Sequence, residues 1–369
     1  MDACYATVVF GQRGGCFEDE NARKLMSSPA VVLPSPGPIP EVSVATSRQF
    51  ADTILAAARP VVFRGLVRDW PLTKAGLESP AALAAYLKPM DSGAPVSAMT
   101  GPANIGGAFA YNGDLSGFNF RRVSLRLSDA LDLLLDYASR DAAPSFAVQS
   151  VPVRAHLPSF ERDNRMPLLD NAVEPRVWVG NAAVTAAHHD PSENIACCVA
   201  GRRRFTLFPP EQLPNLYMGP LESTPAGPAI SMVDIDAPDL ARFPRFAEAM
   251  KAALSTELEP GDALYIPYLW WHHVRAMDPV SMLVNYWWTP PDEGRGRPID
   301  ALMHAMVAVR DLPPAHRAAW RVMFDHYVFE NDGPAAEHLP PERRGVAGRL
   351  DARIIRAVRT ALARSLSRP

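Results

Sequence analysis

The sequence predicts a mainly β domain with flanking helices, followed by a helical C-terminal region. Short apolar or alternating runs, split by turn residues, fill the middle of the chain from about residue 145 to residue 288. Amphipathic helical patterns precede and follow this stretch. Many short strands at such spacing are typical of an antiparallel barrel or sandwich.

Composition limits the organisation of the chain. The first residues end in PAVVLPSPGPIP, which is too rich in proline for a helix or a central strand. We predict a flexible or surface-lying arm over residues 1–40, the β domain over residues 41–295 and a helical region over residues 296–369. Met26 is an alternative to Met1 as the start, and the first residues do not resemble a signal peptide.

Three amphipathic helices are predicted before most of the strands. Each carries apolar residues at helical spacing, and the second and third open at a serine that can cap the first turn. The patterns lie between Ser47 and Pro60, at 79–88 with Ser79 as the cap, and at 128–139 with Ser128 as the cap.

The predicted strands are short apolar runs, and one long insertion separates them. The runs are VVFRGL (61–66), VWVG (177–180), IACCV (195–199), RFTLF (204–208), ALYIP (263–267) and SMLVNYWW (281–288). The insertion, about 209–256, is proline-rich with one helical patch, and we expect it to cover the barrel mouth. Three helical patterns follow the strands, and their apolar stripes predict a homodimer formed through this region.

Charge and cysteine content argue against several classes of protein. Lys and Arg total 37 against 40 for Asp and Glu, so no nucleic-acid partner is expected. No apolar run reaches the roughly 18 residues of a membrane span. The four cysteines show no CxxC spacing, which disfavours a disulfide framework or a zinc-thiolate site. We expect Cys197 and Cys198 to be buried on a strand in a cytoplasmic protein.

Two histidine clusters are the strongest chemical signal. In TAAHHDPSEN, His188 and Asp190 are two residues apart, so an extended chain directs both to one side and His189 to the other. A distant pair, His272 and His273, follows in IPYLWWHHV, and one of the two must face inward. Two histidines and one carboxylate form the face that holds non-haem Fe(II) with open positions, although three ligands and a water could also hold zinc.

Polar residues near these clusters are candidates for binding a small acid. Alternation separates Arg203 from its neighbours Arg202 and Arg204, and an inward guanidinium could grip a carboxylate with two hydrogen bonds. A solvated hairpin tip is the alternative. Asn194 and Asn285 could bind a ligand or serve only as core amides.

Longer motifs resemble the JmjC-like, cupin-type Fe(II)/2-oxoglutarate oxygenases, in particular the branch of the asparaginyl hydroxylase of hypoxia-inducible factor. The motifs are PVVFRGLVRDWPL (60–72), AAHHDPSENIACCVAGRRRFTLFPPEQ (186–212), GDALYIPYLWWHHV (261–274) and VNYWW (284–288). The resemblance implies a double-stranded β-helix, or jelly roll, with Fe(II), 2-oxoglutarate and O₂ as cofactor and co-substrates.

The same resemblance assigns residues. His188, Asp190 and His272 match the metal ligands. Thr185 and Arg203 match groups that hold the distant carboxylate of 2-oxoglutarate, with arginine where the branch commonly has lysine. Asn194 and Asn285 match polar groups near the metal. Two further positions depart from the branch: His189 stands in place of an aromatic residue, and Phe146 or Gln149 in place of a tyrosine.

The implied activity is hydroxylation of a C–H bond, with release of succinate and CO₂. A protein or peptide side chain is the substrate that the resemblance favours, and a small molecule is the alternative. Demethylation of a methyl-lysine would begin with the same step. Two other classes stay open: a metal-binding cupin-fold regulatory protein without turnover, and a zinc-dependent hydrolase or isomerase.

Overall fold

The computed structural model describes residues 33–43, 46–225, 227–290 and 294–367. The chain divides into two compact units, Met1–Trp287 and Trp288–Pro369. The first unit contains the β-sheets, and the second is helical. In the described ranges, no helix has the length and apolar character needed to cross a membrane.

Thirteen strands are found in the described residues. They are β1 (Gly37–Pro38), β2 (Val61–Phe63), β3 (Pro95–Gly101), β4 (Arg121–Arg126), β5 (Ser145–Pro152), β6 (Pro175–Gly180), β7 (Val184–His188), β8 (Glu193–Ala200), β9 (Arg203–Phe208), β10 (Leu254–Leu258), β11 (Ala263–Ile266), β12 (Trp271–Ala276) and β13 (Ser281–Trp288). Each run predicted from the sequence lies in or overlaps one of these strands.

The strands form two sheets. The five-stranded sheet has the order β1-β10-β9-β12-β7, and the eight-stranded sheet has the order β2-β11-β8-β13-β6-β5-β3-β4. One apolar core joins them, with Phe205 and Val274 from the first sheet packed among Ala196 and Leu264 from the second. Antiparallel pairing dominates, as expected of a jelly roll, and the predicted fold class is confirmed.

Part of the predicted N-terminal arm belongs to the domain instead. Residues 1–32 lie outside the described ranges, but Gly37–Pro38 pairs in parallel with β10 and Ile39 is buried in the core. Proline is tolerated here because β1 lies at the edge of its sheet, where a missing backbone N–H costs few hydrogen bonds to neighbouring strands. Residues 37–39 therefore contribute to the edge of the β domain.

The helices of the first unit are short and frame the sheets. They are α1 (Ser47–Gln49, continued by a π-helical turn over Phe50–Leu55), α2 (Pro71–Glu78), α3 (Pro80–Leu87), α4 (Leu127–Ala138), α5 (Val153–His156), α6 (Phe160–Asp163) and α7 (Phe246–Lys251). Helix α2 packs so closely on β8 that a Cβ atom at Gly76 would lie 2.1 Å from the carbonyl oxygen of Val199. Only glycine fits there.

The predicted helix starts are partly right. Ser79 caps α3 by accepting a hydrogen bond from the backbone N–H of Ala82 at 3.0 Å. Ser128 does not cap α4, which begins one residue earlier. Instead, the N–H and hydroxyl of Ser128 both donate to Asp91, at 2.8 Å and 2.6 Å. A carboxylate from a distant turn thus replaces the local cap, which sequence spacing does not reveal.

The second unit consists of the three helices expected from the sequence, α8 (Pro298–Val309), α9 (Pro314–Tyr327) and α10 (Ala352–Leu366). Asp351 caps α10 by accepting hydrogen bonds from the N–H groups of Arg353 and Ile354. Cys197 and Cys198 in β8 are free and buried, as expected.

Candidate metal centre and co-substrate pocket

The two predicted metal-binding histidines face each other across neighbouring strands. His188 ends β7, His272 lies near the start of β12, and the two residues are direct partners in the antiparallel register. Their ring centroids are 4.2 Å apart. Strands that are adjacent in a sheet thus bring together residues far apart in sequence.

Backbone carbonyls fix the orientation of both rings. Nδ1 of His188 is 2.9 Å from the oxygen of Ala186, and Nδ1 of His272 is 3.1 Å from the oxygen of Trp270. A carbonyl only accepts, so each Nδ1 carries the proton and each Nε2 keeps a free lone pair. Burial, with the ring of His272 nearby, lowers the pKa of His188 to about 4, so this imidazole is neutral at pH 7.

Asp190 completes the cluster. One ligand atom from each of His188, Asp190 and His272 lies within 4.8 Å of the other two. Burial alone would raise the pKa of Asp190, but the neighbouring histidines lower it below its ordinary value. Oδ2 of this carboxylate is buried, lies 3.5 Å from Nε2 of His272 and accepts no hydrogen bond in the described part of the chain.

Two imidazole rings with their Nε2 atoms turned to the cluster and an unsatisfied carboxylate oxygen are the donor set that a divalent cation needs. Such a cation would satisfy Oδ2 of Asp190 and use both Nε2 lone pairs. The residues therefore fit a metal ion such as Fe(II).

The second histidine of each pair lies outside this cluster. The His189 ring packs edge-on against Trp271, with centroids 4.7 Å apart. His273 is buried, and burial lowers its pKa to about 4, with Asp236 and Arg275 as nearby charges. Alternation along β12 thus separates ligand from non-ligand in the second pair.

Arg203 reaches the same cavity as the metal cluster. Its guanidinium donates to the hydroxyl of Ser281 at 2.8 Å and to the Ser281 carbonyl at 3.3 Å. No carboxylate in the described ranges pairs with it, whereas Arg202 pairs with Asp278 and Arg204 with Asp236. Burial lowers its pKa to about 10, so Arg203 keeps its charge at pH 7.

A β-bulge places Thr185 at the cavity. Strict alternation from His188 would direct Thr185 to the opposite face, three residues earlier. The register shifts by one residue between His272 and Val274, so that Val274, which lines the cavity, becomes the partner of Thr185. Bulges of this kind redirect side chains beside functional sites.

Asn194 and Asn285 are buried and line the cavity. Gln149 and Trp178 also line it. Of the two residues suggested in place of the family tyrosine, only Gln149 lines it, because Phe146 packs against Tyr137. The cavity holds about 110 Å³. Its remaining lining is mostly apolar: Met99, Phe109, Val184, Ala186, Ala196, Phe205, Pro225, Pro228, Ile230, Ile266, Leu283 and Trp287.

The insertion at about 209–256 contributes only part of the cavity wall. Pro225, Pro228 and Ile230 reach the cavity. Most of its other apolar residues pack instead around Phe208 and Trp271 in a separate core cluster. The insertion therefore both buries the outer face of the five-stranded sheet and borders the cavity.

Hydrogen bonds also hold the loops that carry the ligands. The N–H of Leu269 donates to the Asp190 carbonyl at 3.2 Å. Oε2 of Glu193 accepts from the Tyr265 hydroxyl at 2.7 Å and from the N–H of Tyr268 at 3.2 Å. These bonds tie the segment before β12 to the segment after β7, so the ligand positions are fixed before a metal binds.

The chain matches a known protein family. The model of the Cupin-like domain matches residues 47–294, about two thirds of the chain. The chain belongs to this cupin-like family.

Curated relatives carry several names. HSPB1-associated protein 1 of Homo sapiens is 35% identical over 156 residues, which cover 41% of this cupin-like chain and 31% of that protein. Lysine-specific demethylase 8 of Xenopus tropicalis is 27% identical over 267 residues, covering 70% and 54%. Jumonji C domain-containing protein 5 of Drosophila melanogaster is 27% identical over 324 residues, covering 78% and 74%.

The cupin-like chain thus spans about a third of the first of these relatives and about half of the second. The comparisons support membership of the JmjC oxygenase group. They do not support the narrower resemblance to the asparaginyl hydroxylase branch, since the relatives above carry other names.

Proposed function

We propose that this protein is an Fe(II)- and 2-oxoglutarate-dependent oxygenase that hydroxylates a C–H bond of a protein or peptide side chain. One observation carries the proposal: an unpaired, charged Arg203 opens into the same cavity as the His188, Asp190 and His272 cluster. A pocket with a metal-binding face and a guanidinium that pairs with no carboxylate of the described residues fits a small acid that chelates the metal at one end.

Each residue has a part in this proposal. His188, Asp190 and His272 would hold the metal, which with 2-oxoglutarate and O₂ supplies the oxidant and leaves succinate and CO₂. Arg203 and Thr185, which both line the cavity, would bind the distant carboxylate. The apolar lining excludes water from the oxidant and leaves room for a substrate.

Names of relatives bear on the substrate. Three relatives are called lysine-specific demethylase, which favours a protein side chain over a small molecule. Demethylation of a methylated side chain and hydroxylation of an unmodified one are the two end points to distinguish. Both reactions begin with hydroxylation of a C–H bond, so we propose that step for this protein.

Anaerobic binding tests the proposal. Purified protein with Fe(II) and 2-oxoglutarate should show the visible charge-transfer band of the chelate, and admission of O₂ should yield succinate. Arg203→Leu should keep iron but lose 2-oxoglutarate binding, because the carboxylate then has no cation to pair with. Arg202→Leu is the matched control, since its exposed guanidinium pairs with Asp278.

Tight zinc binding without the band would reject the proposal in favour of a zinc-dependent hydrolase or isomerase. Iron binding without succinate would favour a regulatory protein.

For the substrate, mass spectrometry of cell extract should find proteins that gain one oxygen atom only when the enzyme is present. A gain confined to small molecules would overturn the substrate class.

A further inference from the structure

Three residues on adjacent strands form a directed chain of hydrogen bonds beside the proposed co-substrate site. The indole Nε1 of Trp178 donates to Oδ1 of Asn285 at 2.7 Å. Nδ2 of Asn285 then donates to Oδ1 of Asn194 at 3.4 Å. The residues come from β6, β13 and β8, which are neighbours in the eight-stranded sheet, and all three line the cavity.

The indole fixes the direction of this chain. An amide can rotate by half a turn and exchange its oxygen with its nitrogen, so two buried amides alone could point either way. Indole N–H is only a donor, so it requires the oxygen of Asn285. The amino group of Asn285 must then face Asn194 and occupy its oxygen. What remains of Asn194 for the cavity is its amino group, a hydrogen-bond donor.

The indole itself is held firmly. Trp178 packs against the core between the two sheets and meets Trp287 edge-on, with centroids 5.7 Å apart. Asn285 and Asn194 are only 2% and 4% exposed. Loss of the indole N–H would therefore leave the oxygen of Asn285 buried without its donor. The reversed pair of amides also makes one hydrogen bond between Asn194 and Asn285, so nothing would then favour the original orientation.

We propose that Trp178 is a positioning residue, which acts through Asn285 to make Asn194 donate a hydrogen bond to bound 2-oxoglutarate. The inference rests on the proposed function, because 2-oxoglutarate is the anionic acceptor. Reversed amides would present the oxygen of Asn194 to an anion and weaken its binding.

The test measures 2-oxoglutarate binding under anaerobic conditions, by titrating the charge-transfer band of the Fe(II) protein. Trp178→Phe keeps an aromatic ring but removes the N–H, and should raise the dissociation constant about tenfold. In aerobic assays KM for 2-oxoglutarate should rise more than kcat falls. Trp70→Phe is the matched control: it loses an indole hydrogen bond to the Arg165 carbonyl, away from the cavity, and should not change binding.

A double-mutant cycle separates positioning from simple packing. In an Asn194→Ala background, Trp178→Phe should cause little further loss, because its effect passes through Asn194. Additive losses would overturn the proposal, as would unchanged binding in Trp178→Phe. If that variant fails to fold, Asn285→Leu breaks the same chain and should weaken binding equally. Wild-type protein that shows no band would instead refute the proposed function itself.

Discussion

Adjacent histidines in β12 take different roles because side chains of a strand alternate between its two faces. His272 points to the cavity, where its Nε2 lies 3.5 Å from Asp190. His273 points to the other face, where it is buried near Asp236. The two positions therefore form a matched pair for testing the metal cluster.

His272→Ala should weaken Fe(II) binding by more than the roughly 10- to 100-fold that loss of an outer-shell partner causes. His273→Ala should keep iron binding and lower the free energy of unfolding by about 2 kcal/mol, because it removes a buried ring. Metal titration and urea unfolding measure the two effects. Loss of iron in His273→Ala, with retention in His272→Ala, would contradict the assignment.

Sequence spacing could predict some site residues and not others. His188 and Asp190 share a face by alternation alone, whereas the choice of His272 over His273 depended on family resemblance. Alternation would place Thr185 on the wrong side, because no sequence signal marks the bulge. Trp178 was missed for a similar reason: its role depends on Asn285, more than a hundred residues away in sequence.

Among the secondary-structure elements, the strands differ in how far the sequence reveals them. β8 and β13 are long apolar runs because both their faces are buried. The sequence pattern does not predict β12, because its two histidines and its arginine interrupt the apolar run that marks a buried strand. β3 and β4 flank a loop rich in glycine and asparagine, and their alternating pattern is weak.

Asp91 stabilises the start of α4 by a contact that pH can switch off. Its carboxylate accepts hydrogen bonds from Ser128 and from the N–H of Gly93. Burial opposes ionisation, but these bonds outweigh it and lower the pKa of Asp91 below 3.8. Because the folded pKa is lowered, the stabilisation is fully present above pH 3.8 and is lost as pH falls through the folded value.

Asp91→Ala should therefore lower the free energy of unfolding by about 1 kcal/mol at about pH 7, as the loss of a helix cap does. The difference from wild type should shrink as the pH falls below the lowered pKa of the folded wild-type carboxyl, because that carboxyl then becomes protonated. Urea unfolding over this range measures it. Asp141→Ala, at an exposed position, is the control. A difference that grows towards acid would contradict the role of the carboxylate.

At the level of the whole molecule, sequence patterns could predict strands but not their order. The runs indicate a barrel or sandwich, and only family resemblance pointed to a jelly roll. The reason is that β8 lies between β11 and β13, and β12 between β9 and β7. Such pairings join distant segments, and local patterns do not encode them.

The second unit lacks a core of its own. Of its described residues only Ala335, Ala336 and Ile355 are buried. Large apolar side chains on all three helices are exposed, including Leu302 at 52% and Trp320 at 46%. A unit of this size normally buries a substantial core, and such apolar surface is typical of an interface.

We expect a second copy of the chain to cover these helices in a symmetric dimer, since a two-fold axis pairs a self-complementary apolar face with itself. Light scattering at micromolar concentration should give twice the mass of one chain. Leu302→Glu should yield monomers, because a carboxylate buried at the interface loses its hydration without gaining a partner. His304→Glu adds a charge to the opposite side of α8 and should leave the dimer intact. A wild-type chain of monomeric mass, or equal behaviour of the two variants, would contradict dimerisation through α8.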